Sequence, residues 1–312
     1  MFKPGESQIT LVINCYCVER FIEDAVAGAL AQTYSPLEII ISDDCSTDRT
    51  FELIQKAVKD YQGPHRIILN RNPQNLGLAR HQNRLFELAS SDWIVFQAGD
   101  DISLPNRVAR VAQGIAENPQ AVCLGSQVKV IDANGKPWGT MPAKAMQEHR
   151  FLVHRITEIL GATAAYNKKV FDEFGTLGQF AGNEDSILSL RSHLLGTIVN
   201  LPDVLVLYRK HGNNHSGDSS QITPEIIAKI RLRRIYTLYQ ELIDLQTFVS
   251  NHPEQYRKVD SIRSQLNDDI YIQWLFGNWI IHHEQRPYLL GKVLSSPRAM
   301  WLIAKRVLNK LL

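Results

Sequence analysis

Trp93-Ile94-Val95-Phe96-Gln97-Ala98-Gly99-Asp100-Asp101 is an apolar run that stops abruptly at a glycine and two adjacent carboxylates. Trp, Ile, Val and Phe fit a buried pleated surface, so the run reads as a strand. Gly99 admits a tight turn. Two acids at the C-terminal end of a strand are costly to bury unpaired, which leaves two readings. Either they meet a divalent cation or a sugar hydroxyl, or Asp100 caps the next helix and Asp101 sits in solvent.

Upstream, residues 9–13, 37–41 and 66–70 are three more strand-like runs, and residues 19–32, 49–61 and 78–89 carry apolar side chains at helical spacing. Strand and helix alternating with short connections predict an α/β fold with a mostly parallel sheet flanked by helices. Right-handed crossovers put the strand C-termini on one edge, where open α/β sheets bind their ligands. That edge collects Tyr16, Asp43, Asp44, Asp100 and Asp101. No GxGxxG follows the first strand, which disfavours a dinucleotide-binding domain.

Downstream, the pattern predicts a helix over 106–118 and strands over 121–126 and 128–132, the latter turning at Asn134-Gly135. Residues 139–155 read as a loop over the site. Gly161-Ala162-Thr163-Ala164-Ala165-Tyr166-Asn167 is small enough for close backbone approach to a ligand, and 168–174 reads as a short helix. Asn183-Glu184-Asp185 precedes an apolar helical run and, taken alone, is a helix cap. A strand over 204–208 leads into Arg209-Lys210-His211-Gly212-Asn213-Asn214, which suits either a loop closing on a phosphate or a solvated loop.

Beyond Thr223 the pattern becomes helical, over 224–250 with Ile226, Ile227, Ile230, Ile235, Leu238, Leu242, Leu245 and Phe248 as its apolar side, and again over 256–283. From Arg286 onward every charged residue is basic. An amphipathic helix starting at Arg298 would lie in an anionic membrane interface, or pack on its own domain or a partner subunit. The net charge of +2 makes no case for nucleic acid, and 44% hydrophobic with 21% charged residues is ordinary for a soluble protein. Four cysteines without a CxxC pair are expected to be reduced in a cytoplasmic protein. The N-terminus does not read as a signal peptide, and no run approaches the ~20 apolar residues of a membrane span.

Taken in order, Asn14-Cys15-Tyr16-Cys17, Ala31-Gln32-Thr33-Tyr34, Ile41-Ser42-Asp43-Asp44-Cys45-Ser46-Thr47-Asp48, Asn75-Leu76-Gly77-Leu78-Ala79-Arg80, Ala98-Gly99-Asp100-Asp101 with Leu104-Pro105-Asn106-Arg107, Asn183-Glu184-Asp185 and Tyr208-Arg209-Lys210-His211 resemble a family 2 glycosyltransferase of the GT-A fold. The resemblance spans residues 8–217. It implies a catalytic domain over 1–222 with a helical C-terminal region over 223–312, and inverting, metal-dependent transfer from a nucleotide sugar such as a UDP- or dTDP-sugar. The implied acceptor is a saccharide or lipid-linked saccharide in cell-surface polysaccharide, lipopolysaccharide or glycolipid synthesis. The implied location is the cytoplasm, at the inner face of the plasma membrane, and a second copy of the chain counts among the expected partners.

By the same resemblance, Tyr16 flanks the nucleotide base, Asp44 accepts its imide N–H with Asp43 assisting, and Arg80 lies near the nucleotide. Asp100 meets the ribose, Asp101 ligates Mn²⁺ or Mg²⁺ with His211 as a further contact, and Asp185 is the general base. Two features depart from the family pattern. Asn14-Cys15-Tyr16-Cys17 stands where Pro-Thr-Tyr-Asn is common, and Ala98 replaces the first aspartate of Asp-x-Asp. Two other readings stay open, a catalytically impaired scaffold of the same fold and a sugar nucleotidyltransferase. The latter would want a glycine- and basic-rich loop at residues 14–17.

Overall fold

A computed structural model describes residues 2–141, 159–179, 181–212, 223–281, 287, 290–291, 293, 295–296 and 299–300. Its first hundred residues alternate as the pattern predicts: β1 (Ile9–Cys15), α1 (Ile22–Leu30), β2 (Leu37–Asp43), α2 (Thr50–Val58), β3 (Arg66–Arg71), α3 (Leu78–Leu88) and β4 (Trp93–Ala98). There follow β5 (Ile102–Ser103), α4 (Arg107–Glu117), β6 (Ala121–Ile131), β7 (Pro137–Met141), β8 (Ala165–Asn167), α5 (Lys169–Asp172), α6 (Glu184–Leu195) and β9 (Thr197–Arg209). Among the described residues the strands form one sheet in the order β3-β2-β1-β4-β8-β6-β9-β5, with β7 paired to β6.

Strands β1 to β4 are mutually parallel, with Ile13 beside Ile41 and Gln97. Both faces of β1 and β2 are buried, which is why they read as near-continuous apolar runs. On one face Ile9, Leu11, Ile13, Ile39, Ile41 and Val95 pack against Ile22, Val26, Ile54, Val108 and Ile115 of the helices. On the other, Phe86 stacks on Phe171 and tilts against Phe96, whose edge meets Tyr166. The small-residue stretch becomes a 3-10 turn over Gly161–Thr163 followed by β8, an antiparallel strand threaded between β4 and β6. Close backbone approach is thus used inside the sheet. Strand β9 begins at Thr197, earlier than the apolar run over 204–208.

The chain divides into two compact units, one of Met1–Gln179 with Glu184–Ser216 and the other of Phe180–Asn183 with Gly217–Leu312. In the second unit, α7 (Pro224–Asn251) starts at a Thr223 cap with proline at its first position, and a short turn leads to α8 (Tyr256–Ile281). Leu238, Leu245 and Phe248 of α7 and Val259, Ile262 and Leu266 of α8 are buried. Ile226 and Ile230, expected on the core side, are exposed. Thr237, Glu241 and Asp244, on the same stripe farther along the helix, are buried. No helix among the described residues is long and apolar enough to cross a membrane. Of the loop expected over 139–155, residues 139–141 belong to β7; the rest of it, the expected basic helix beyond Met300 and the loop after Gly212 lie outside the described residues.

Candidate active site

The C-terminal edge of β1 and β2 is held together by one loop. Asp44 N donates to Cys15 O at 2.9 Å, and Cys17 N donates to Ser46 Oγ at 2.8 Å. Cys17 and Cys45 both have positive φ, 51° and 62°, a conformation that costs a non-glycine residue energy and marks tightly specified turns. Tyr16, between them, is about half exposed at the rim, free to present a ring face to a planar base. All four cysteines are free thiols, Cys15 and Cys123 buried, Cys17 exposed and Cys45 half-buried.

The two aspartates do different work. Asp43 is fully buried and accepts from Ser46 N and Ser46 Oγ, with Arg71 Nε at 3.3 Å. Its carboxylate is thus spent on the turn and on a neighbouring strand. Asp44 accepts from Asn72 Nδ2 at 2.8 Å, Leu76 N at 2.9 Å and Gly77 N at 2.9 Å. The 75–77 loop is wrapped round that carboxylate. Gly77, at φ 76°, is where the loop needs glycine. Among the described residues Oδ2 of Asp44 has one donor, which leaves acceptor capacity for a further N–H. Arg80 is exposed on the first turn of α3, its Nε donating to Leu76 O at 2.8 Å. Asn72, 4% exposed, was not singled out by the sequence because an isolated amide after a strand carries no pattern.

At the end of β4, Gly99 N donates to Asn14 O, and a Cβ there would lie 3.2 Å from Asn14 O and 3.0 Å from Val18 Cγ2. The turn it permits points its two acids in different directions. Asp100 Oδ2 lies 3.0 Å from His211 Nε2, with both side chains partly open to solvent at 18% and 11%. Asp101 is 1% exposed, with Oδ1 accepting from Arg209 N at 2.8 Å and Oδ2 lacking a hydrogen-bond partner among the described residues. Burial, then the charge of Asp100, pushes the Asp101 carboxyl well above its ordinary value. The sequence expectation gave the cation to Asp101 and the ribose to Asp100; the structure seats Asp100, not Asp101, beside His211.

Two buried guanidinium groups hold this turn. Arg209 Nε donates to Asp100 O at 2.9 Å, Nη2 to Asp24 Oδ2 at 2.9 Å and Nη1 to the carbonyls of Asp132 and Ala133. The same group sits 4.9 Å over the Phe21 ring, which in turn lies 4.6 Å from His211. Arg107 is fully buried, and burial lowers its guanidinium to about 9. Its Nη2 donates to Phe96 O at 2.6 Å and Ala162 O at 3.1 Å, tying β4 to the turn that supports Asp185.

Asp185 stands on the first turn of α6, its Oδ2 accepting from Gly161 N at 3.2 Å. Burial pushes its carboxyl from 3.8 up to about 6, with the Gly161 N–H pulling the other way. Neighbouring Glu184 is pushed up to about 8 by burial and by the charge of Asp185. A carboxyl near 6 is suited to accepting a proton at neutral pH, since the ideal catalytic value lies near the working pH. A Cβ at Gly161 would overlap Oδ1 of Asp185. Gly161→Ala is therefore expected to displace the carboxylate, and a fall in turnover of about 10²-fold would mark Asp185 as a reacting group. Steady-state kinetics on a variant with unchanged circular dichroism checks this.

The relatives agree with this architecture. The family model for glycosyl transferase family 2 matches residues 10–175. An uncharacterized glycosyltransferase of Haemophilus influenzae is 24% identical over 284 residues, covering 86% of this chain and 85% of its own. A shorter match, 35% identical over 101 residues, covers 32% of this chain and 38% of the Escherichia coli UDP-Glc:alpha-D-GlcNAc-diphosphoundecaprenol beta-1,3-glucosyltransferase WfaP. Among solved structures, Staphylococcus aureus TarS in complex with UDP-GlcNAc superposes with a TM-score of 0.60 at 17% identity, covering 97% of this chain and 89% of the other. The mannosyltransferase PcManGT of Pyrobaculum calidifontis, in complex with GDP-Man and Mn²⁺, gives 0.56 at 14% identity, covering 99% and 87%. These two likenesses speak to the fold, a curled, mostly parallel GT-A sheet flanked by helices. The family match takes in more than half of the chain, from β1 through the β4 turn to α5, and on that ground the chain belongs to glycosyl transferase family 2.

Proposed function

We propose that this glycosyltransferase moves a sugar, with inversion, from a UDP- or dTDP-sugar to a hydroxyl of a saccharide or lipid-linked saccharide in cell-surface glycan assembly. The observation that carries the reading is the buried Asp185 carboxylate, raised to about 6 and seated on a peptide N–H. In the reaction, Asp185 takes the proton of the acceptor hydroxyl, the acceptor oxygen bonds to C1 of the sugar, and the C1–O bond to the diphosphate breaks. One displacement inverts the anomeric centre and needs no covalent nucleophile. Tyr16 and Asp44 hold the base, Arg80 lies by the nucleotide, and Asp43 supports them as a turn residue. The E. coli relative's GlcNAc-diphosphoundecaprenol acceptor supports the lipid-linked class.

A divalent cation fits the residues present. Among the described residues no group of three His, Cys, Asp or Glu could hold a metal by itself. Asp100 and His211 offer one carboxylate and one imidazole, and Mg²⁺ and Mn²⁺ sites of this kind take their remaining oxygens from substrate phosphates and water. We assign the cation contact to Asp100 with His211, and to Asp101 the support of the turn. When bound, the cation neutralises charge developing on the departing diphosphate.

Chelation with EDTA is expected to abolish transfer and added Mn²⁺ or Mg²⁺ to restore it; activity that persists through chelation would remove the metal from the reading. A nucleotide-sugar screen by thermal shift, with and without Mn²⁺, identifies the donor through the stabilisation a bound ligand confers. Proton NMR of the product then reads the new linkage. A product that keeps the donor's anomeric configuration refutes inversion.

A further inference from the structure

Trp138 is 62% exposed, an unusual position for the largest apolar side chain. It lies on β7 where the ladder with β6 slips: Ile131 pairs with Pro137, but Val130 pairs with Gly139. Trp138 is the extra residue of that bulge, and bulges beside active sites re-aim a side chain. Lys210 Nζ sits 5.5 Å over its ring, and Lys210 N donates to Ile131 O at 2.8 Å. The bulge is therefore tied to the segment that carries Arg209 and His211.

Side chains alternate across a strand, so Val206, Tyr208 and, one residue past β9, Lys210 share a face opposite Arg209 and His211. On that face Val128, Val130 and Val206 form a small buried cluster with Tyr208 and Leu160. Leu160 directly precedes Gly161, the peptide that holds Asp185. The ribbon of β7, β6 and β9 thus has Asp100 and His211 toward one face and the support of Asp185 toward the other. Trp138, on the outermost strand of that ribbon, carries the Lys210 ammonium over its ring, and Lys210 falls on the Tyr208 side by the same alternation.

We propose that Trp138 is a stacking platform for a sugar ring of the acceptor, one unit or more removed from the ring whose hydroxyl meets Asp185. This rests on the glycosyl-transfer reading of Asp185. The chemistry is that of an apolar C–H face of a pyranose lying on an indole ring. Lys210 holds the ring in place through its cation–π contact and supplies a donor to the ring's hydroxyls.

The test uses the full chain labelled with 5-fluorotryptophan, with the Trp138 resonance assigned by Trp138→Phe. UDP with Mn²⁺ is added first. Methyl glycosides of glucose, galactose and N-acetylglucosamine follow, then an alkyl-diphosphate-linked N-acetylglucosamine. The Trp138 resonance is expected to move with a saccharide and not with UDP alone. Trp138→Ala should raise the half-saturating concentration of that saccharide about tenfold without changing UDP binding, and Trp138→Tyr should restore most of it. Silence of the Trp138 resonance across the panel, or an unchanged half-saturation in Trp138→Ala, overturns the platform. Absence of UDP binding overturns the donor reading instead, and a saccharide shift at Trp138 would still stand for the platform.

Discussion

Asp185→Asn is expected to lower the transfer rate by about 10²–10⁴-fold, the usual contribution of a positioned general base, while UDP binding stays unchanged. Asn keeps the shape and can still accept from Gly161 N, so the loss isolates proton acceptance. In the unmodified chain the rate should fall as pH drops through about 6, where Asp185 takes up a proton. That acidic limb should vanish from the residual rate of the variant. Stability supplies an independent sign. The folded-state value of about 6 lies above the ordinary 3.8. The folded chain therefore binds a proton that the unfolded chain has released between those values, so Asp185 costs stability as pH rises through that window and fully so above it. Glu184, raised to about 8, acts in the same direction over its own window. Asp185→Asn should raise the melting temperature at neutral pH and leave it nearly unchanged below pH 3.8. Near-normal turnover would remove Asp185 as the base, and a variant no more stable than the parent at neutral pH would contradict its burial.

Much of the fold was legible because parallel strands buried on both faces must be apolar along their whole length. Ile9–Cys15, Leu37–Asp43 and Trp93–Ala98 therefore announce themselves, and the polar residues at their ends mark the ligand edge. What the sequence cannot express is direction within a turn. Asp43 and Asp44 are equivalent by spacing, yet one accepts from Ser46 and the other gathers the 75–77 loop. Asp100 and Asp101 are split in the same way by the Gly99 turn. Buried cations were invisible for another reason: nothing in the sequence marks Arg107 or Arg209 as buried, because such groups are seldom buried unless paired. Their partners are mostly backbone carbonyls, which no residue type reveals.

Arg209→Lys is the substitution expected to separate support of the turn from the chemistry at it. Lysine keeps the charge and has a stem of similar length, but it is a point donor without a planar fork. In the parent, Nε, Nη1 and Nη2 reach three separate elements: the Asp100 carbonyl of the β4 turn, the carbonyls of the Asp132-Ala133 turn, and Asp24 of α1. One ammonium cannot serve all three. Each half-buried carbonyl left without a donor costs about 1 kcal/mol, the low end of the penalty for a fully buried one. Asp24, whose side chain is 61% exposed, regains water and adds little. A loss of about 3 kcal/mol is therefore expected in urea unfolding, and Arg209→Ala should lose more because it also removes the packing on Phe21. Function should change unequally. Asp100 and His211, the proposed cation contacts, are aligned through Arg209 and Phe21, so the Mn²⁺ concentration needed for half-maximal rate should rise about tenfold, the usual effect of losing a residue that orients metal-binding groups. The nucleotide contact proposed for Asp44 lies on another strand end, so UDP affinity should hold. A variant that loses stability, Mn²⁺ response and UDP affinity together would mean general unfolding. A variant that keeps its Mn²⁺ response while losing stability would mean that Asp100 is held by the Gly99 turn alone.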